Sequence, residues 1–180
     1  MYACENSPFK PILQIQDVHP FSGFCSLAVN PQNVFFFLGN NGFDYKNSVT
    51  AVDLNTRIWT KYPSSPVTAY SCSATYYFNK LGFMTILLFA ETYHFMDNLM
   101  SSSVYGYDLR EKDKGKWIKV LSAFEFYGRI ATFRGIPYIF SNFPNTSMIG
   151  YRINPEKGDK IPIYVTKSEN VTVSSIVSYI

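Results

Sequence analysis

Three times along the chain a run of apolar residues is closed by a small or polar pair. Residues 34–38 (VFFFL) precede Gly39 and Asn40, residues 85–89 (TILLF) precede Ala90 and Glu91, and residues 137–140 (PYIF) precede Ser141 and Asn142. From Gly39 to Ala90 to Ser141 the step is 51 residues each time. Short apolar runs bounded by turn residues and rich in aromatic and β-branched side chains predict strands. Each run follows a shorter β-prone segment across a turn: 25–29 with Asn30 and Pro31, 72–76 with Asn79 and Lys80, and 130–133 with Arg134 and Gly135. Asn, Pro and Gly supply hairpin geometry, so each pair predicts an antiparallel hairpin.

After each apolar run comes a polar loop and then a third segment of alternating character, at 49–54, 104–109 and 148–153. A turn rich in Asn, Lys or Gly leads to a fourth, at 57–61, 116–120 and 161–165. Four short strands in about 45 to 55 residues is the content of one propeller blade. The expected fold is therefore all-β, a partial β-propeller of four-stranded antiparallel blades. The blades are expected at 21–69, 70–125 and 126–167, with 1–20 ending a preceding blade and 168–180 supplying the first strand of a following one. Residues 12–15 before Pro20 repeat the pattern of 58–61 before Pro66. A six-bladed ring at this repeat length takes roughly 300 residues. The expectation is thus an arc that further blades or another chain completes, since exposed strand edges invite pairing. A compact sandwich of the same strands, or another all-β domain with aromatic strands, is the alternative.

The order of apolar strand, Gly pair, loop, Tyr-Asp at a strand end and Trp some residues later resembles the kelch repeat. Gly39, Asp53 and Trp59 carry it in the first unit, Tyr107, Asp108 and Trp117 in the second, and Tyr151 in the third. The Gly pair persists as Gly39-Asn40, becomes Ala90-Glu91 and Ser141-Asn142, and the third unit has no Trp. Asn tolerates positive φ next best after Gly, so Gly39-Asn40 can turn as Gly-Gly does, whereas Ala90-Glu91 should change the local turn. The resemblance implies a protein-binding propeller, such as the substrate-recognition module of a ubiquitin-ligase adaptor or an actin-associated scaffold. It leaves two alternatives: a propeller enzyme of the galactose-oxidase or sialidase kind, and a secreted or cell-surface kelch module.

Composition narrows these classes. The 180 residues are 47% hydrophobic, 18% aromatic and only 16% charged, which excludes a disordered chain. The net charge of +3 is spread along the chain, so no nucleic-acid partner is expected. No apolar stretch is long enough to span a bilayer as a helix, and no membrane association is expected. Cys4, Cys25 and Cys72 are odd in number and lack C-x-x-C spacing, which suggests neither a disulfide framework nor a zinc site. With no signal peptide visible at the N-terminus, a reducing, cytoplasmic location is the expectation. Sequons at Asn145 and Asn170 are as frequent as chance allows.

Catalysis needs converging acids, bases or nucleophiles, and few are present. Glu91, His94 and Asp97 could ligate a metal but read more simply as a polar surface loop, and Cys25 and Cys72 as small buried apolar residues. Neither enzyme activity nor a cofactor is expected. The loops after the apolar strands occupy equivalent places in the three units. Asn40, Asn41, Tyr93, His94, Phe95, Met96 and Asn142 are therefore the expected contacts for a protein partner.

Overall fold

The computed structural model describes residues 25–28, 33–37, 47–69, 71–94, 99–112, 114–124, 128–141 and 149–164. The first sheet consists of β1 (Cys25–Ala28), β2 (Asn33–Phe37), β3 (Val49–Asp53) and β4 (Trp59–Tyr62). The second contains β5 (Ser71–Phe78), β6 (Met84–His94), β7 (Leu99–Asp108) and β8 (Ile118–Phe124), and the third β9 (Gly128–Phe133), β10 (Ile136–Ser141), β11 (Ile149–Asn154) and β12 (Asp159–Tyr164). In every sheet the strands pair antiparallel in chain order. The chain is a partial β-propeller of four-stranded antiparallel blades. Its leading strands stand side by side, β1 against β5 and β5 against β9. The expected blade fragments at 1–20 and 168–180 lie outside the described residues.

The second sheet is the middle layer, and its sequence shows why. Along β6 successive side chains alternate between faces, and both faces are covered. Ile86, Leu88 and Ala90 pack with Phe35, Phe37 and Val49 of the first sheet, while Leu87 and Phe89 pack with Ile130, Ile139 and Ile153 of the third. A strand buried on both sides reads as an unbroken apolar run and not as an alternation. Truncating one such residue to Ala costs about 2–5 kcal/mol.

Aromatic rings and one indole N–H tie the first two sheets together. Trp117, just before β8, lies 5.0 Å from the Tyr107 ring and 6.3 Å from that of Phe37 across the gap between the sheets. Its Nε1–H donates to the Pro63 carbonyl at 2.9 Å. Tyr107 in turn donates its hydroxyl proton to the Lys112 carbonyl and accepts from the Gly115 N–H at 3.2 Å, closing the β7–β8 connection.

The second and third sheets meet differently. β9 is an edge strand, paired on one side only, so alternate N–H groups face the gap. Side chains of the second sheet satisfy them: Ser73 Oγ accepts from Ile130 N at 2.9 Å, and Glu91 Oε1 accepts from Gly128 N at 2.7 Å. Thr132 Oγ1 donates to the Tyr76 carbonyl at 2.6 Å. An edge blunted in this way has its backbone groups occupied without a shared ladder.

Two expectations need correction. The segment 91–103 was expected to be a loop, but β6 runs on to His94 and β7 begins at Leu99, so most of it is a lengthened hairpin. Thr92 Oγ1 donates to the Ser101 carbonyl at 3.0 Å, a cross-strand bond that supports the pairing. The cysteines were expected to be free, but Cys72 is buried and disulfide-bonded. Its sulfur carries no proton, so its 3.9 Å approach to the Phe37 carbonyl is a packing contact.

Candidate functional site

Because the three sheets share one strand order, their connections sort onto two ends. The β2–β3, β6–β7 and β10–β11 connections leave from one end, here the loop end. The β5–β6 and β9–β10 turns and the β3–β4, β7–β8 and β11–β12 connections leave from the other, the turn end. Of the expected partner contacts, Asn40, Asn41, Phe95, Met96 and Asn142, with the repeat residue Gly39, lie outside the described residues. Tyr93 and His94 are the last two residues of β6, opposite Met100 and Leu99.

Just inside the loop end sits a buried carboxylate. Glu91 is 1% exposed and lies in a cross-strand row with Ser71 on β5 and Ser102 on β7, and Ser102 is buried too. Besides the Gly128 N–H, the carboxylate is hydrogen-bonded by Ser71, and Arg129 Nη1 lies 3.6 Å away. Burial pushes its pKa up, and these partners only partly offset that. Glu91 is already engaged by the third sheet. Among the described residues no group of three metal-ligating side chains occurs.

The repeat positions serve the turns. Asp53 ends β3 and accepts from the Asn55 and Thr56 N–H groups at 2.9 and 2.8 Å, which holds its carboxyl below the usual range. Asp108 ends β7, accepts from Arg110 N at 3.0 Å and pairs with the Arg110 guanidinium, which lowers its pKa. These turns use the Asp side chain as a local backbone acceptor, the reason Asp is favoured there. In the third sheet Asn154 holds that strand-ending place, with Lys157 N at 3.4 Å from its Oδ1, while Tyr151 lies mid-strand opposite Pro162. Trp59 begins β4 opposite Val52 and is 43% exposed.

At the turn end a cleft of about 340 Å³ opens between the second and third sheets, lined among others by Tyr77, Phe78, Pro137, Arg152, Ile153 and Glu156. One clasp crosses it. Glu156 accepts the Lys80 N–H at 2.7 Å and pairs with Lys80 Nζ at 2.8 Å, which lowers the pKa of the Glu156 carboxyl. Beside the cleft, large apolar side chains stand in solvent: Phe78 at 55%, Leu81 at 73% and Phe133 at 55% exposure.

The chain matches no protein-family model, and no curated protein matches it in sequence. Among solved structures it is similar to a fucose lectin from Kordia zhangzhouensis in complex with methyl-fucoside, at 14% identity and a TM-score of 0.48. The match covers 81% of this chain and 100% of the lectin chain. Among the described residues no helix is long and apolar enough to cross a membrane.

Sequence reasoning missed both Glu91 and the turn-end cleft. Leu87, Phe89 and Glu91 share one parity and could have shown that the strand continues with Glu91 facing inward. The cleft had no such signal, because it forms where turns 51 or more residues apart come together.

Proposed function

We propose that the chain is a protein-binding module of the kelch type whose contact surface is the loop end. The common strand order carries this reading, since it brings three loops out of the same end of three packed sheets, where they can grip one partner together. The kelch label is supported by the strand-ending acids Asp53 and Asp108 and by Trp117 wedged against Tyr107 and Phe37. Adaptor and scaffold roles both fit such a module. Photo-crosslinkers placed at Asn41, Phe95 and Asn142 test it. One protein captured from all three positions is the expected result, and capture of three unrelated sets would overturn it.

A second reading is favoured by one observation. The Cys72 disulfide supports a secreted or cell-surface kelch module over a cytoplasmic one, because disulfides persist in oxidising compartments. Expression through a secretory route tests it: a glycan shift at Asn145 or Asn170 supports it, and retention of reduced, unglycosylated chain inside the cell counts against it.

A further inference from the structure

Of the seven large apolar side chains exposed among the described residues, three stand together at the turn end of the second and third sheets. Phe78 ends β5, Leu81 is in the turn after it, and Phe133 ends β9. The two strands run side by side with Thr132 bonded to the Tyr76 carbonyl, which sets Phe78 and Phe133 near one level. Clustered exposed aromatics beside a cleft mark an interaction surface more often than scattered ones do.

Charge gives the chemistry of the partner. Around the cleft the β5–β6 turn carries Lys80, the β9–β10 turn Arg134, and the span from β11 into β12 Arg152, Lys157 and Lys160. Of the nearby acids, Glu156 is taken up by Lys80 and Asp108 by Arg110. Among the described residues, Arg152 in the cleft lining has no acidic partner. Arg134 lies over the Phe133 ring, 5.4 Å from its centroid, which leaves the guanidinium edge open to an acceptor.

We propose that the turn-end cleft, with Phe78, Leu81 and Phe133 beside it and Arg134 and Arg152 around it, binds an acidic peptide segment that carries apolar side chains. The apolar side chains rest on the exposed rings and enter the cleft, and the carboxylates meet the guanidiniums. A nucleic-acid strand fits less well, because it needs a continuous row of cations along its backbone and these are grouped at turns. The site is at the opposite end from the loops and does not depend on the loop-end reading.

The test titrates the full 180-residue chain into dye-labelled decapeptides and follows anisotropy. One peptide alternates Glu with Leu, and its counterparts carry Gln for Glu, Lys for Glu, or Ser for Leu. An oligouridylate of similar length is the fifth probe. Binding of the Glu-Leu peptide at least about tenfold tighter than any other probe is expected, a difference of about 1.4 kcal/mol. Arg152→Glu and Leu81→Ser should each weaken it several-fold, and Tyr93→Ala at the loop end should leave it unchanged. Both substituted positions are exposed, so folding is preserved, and a thermal melt of each variant verifies that. No binding of the Glu-Leu peptide, equal binding of the Gln, Lys or Ser peptide, tighter binding of the oligouridylate, or insensitivity to both substitutions overturns the proposal.

Discussion

Glu91 on β6 accepts the Gly128 N–H of β9 at 2.7 Å, so a carboxylate of the second sheet caps the open edge of the third. Its pKa is raised, chiefly by burial. A group whose folded pKa lies above its unfolded one favours folding most when protonated. Its contribution is complete below the ordinary glutamate value of about 4.3 and is lost as pH rises through the folded pKa. Glu91→Gln keeps an acceptor for Gly128 and removes the charge. Urea melts across pH 4 to 8 should show the wild type losing stability relative to Glu91→Gln as pH rises. Glu91→Ala strands the Gly128 N–H and should cost about 1–3 kcal/mol at low pH, the deficit shrinking as pH rises.

Trp117 does two separable things. Trp117→Phe keeps a ring against Tyr107 and Phe37 but leaves the Pro63 carbonyl without its donor, at a cost of about 1 kcal/mol. Trp117→Ala also empties the wedge, and a loss of about 3 kcal/mol is expected. Equilibrium denaturation of both variants measures the difference; no loss in Trp117→Phe would show that the indole N–H contributes nothing, and equal losses that the wedge contributes nothing.

The β9–β10 turn holds two residues, Arg134 at φ 49° and Gly135 at φ 75°. Such a turn prefers Asn-Gly, because Asn adopts positive φ at lower cost than Arg. Arg134→Asn should therefore raise stability by about 0.5–1 kcal/mol while weakening the acidic peptide at the turn end. A melt and an anisotropy titration on the same sample check both effects.

The disulfide predicts a labelling count. Alkylation of the unfolded, unreduced protein should modify one of the three cysteines, and alkylation after reduction all three. In Cys72→Ser, both remaining cysteines should react without reductant. Intact mass reads each count directly.

The strand order was legible because the repeat reports itself three times over, through the apolar runs, the hairpin turns and the acids at strand ends. The turn of Asp53 uses acceptor chemistry that is local in sequence, whereas the wedge of Trp117 depends on Phe37 and on Pro63, 54 residues away. Glu91 was misread because a charged residue after an apolar run looks like the end of a strand, and only a partner 37 residues away makes its burial tolerable. The disulfide was hidden by the odd cysteine count, since composition does not say which thiols meet. The turn-end cleft depends on how two sheets pack, which no pattern within either sheet records.

The caps on β9 have a direction. Ser73 and Glu91 belong to the sheet that is earlier in the chain, and the N–H groups that they hold belong to the later one. During synthesis the second sheet is finished before β9 leaves the ribosome, so the arriving edge meets acceptors already in place. Growth of the arc is vectorial: a strand edge is quenched as it emerges, and the time in which it could pair with another chain is short.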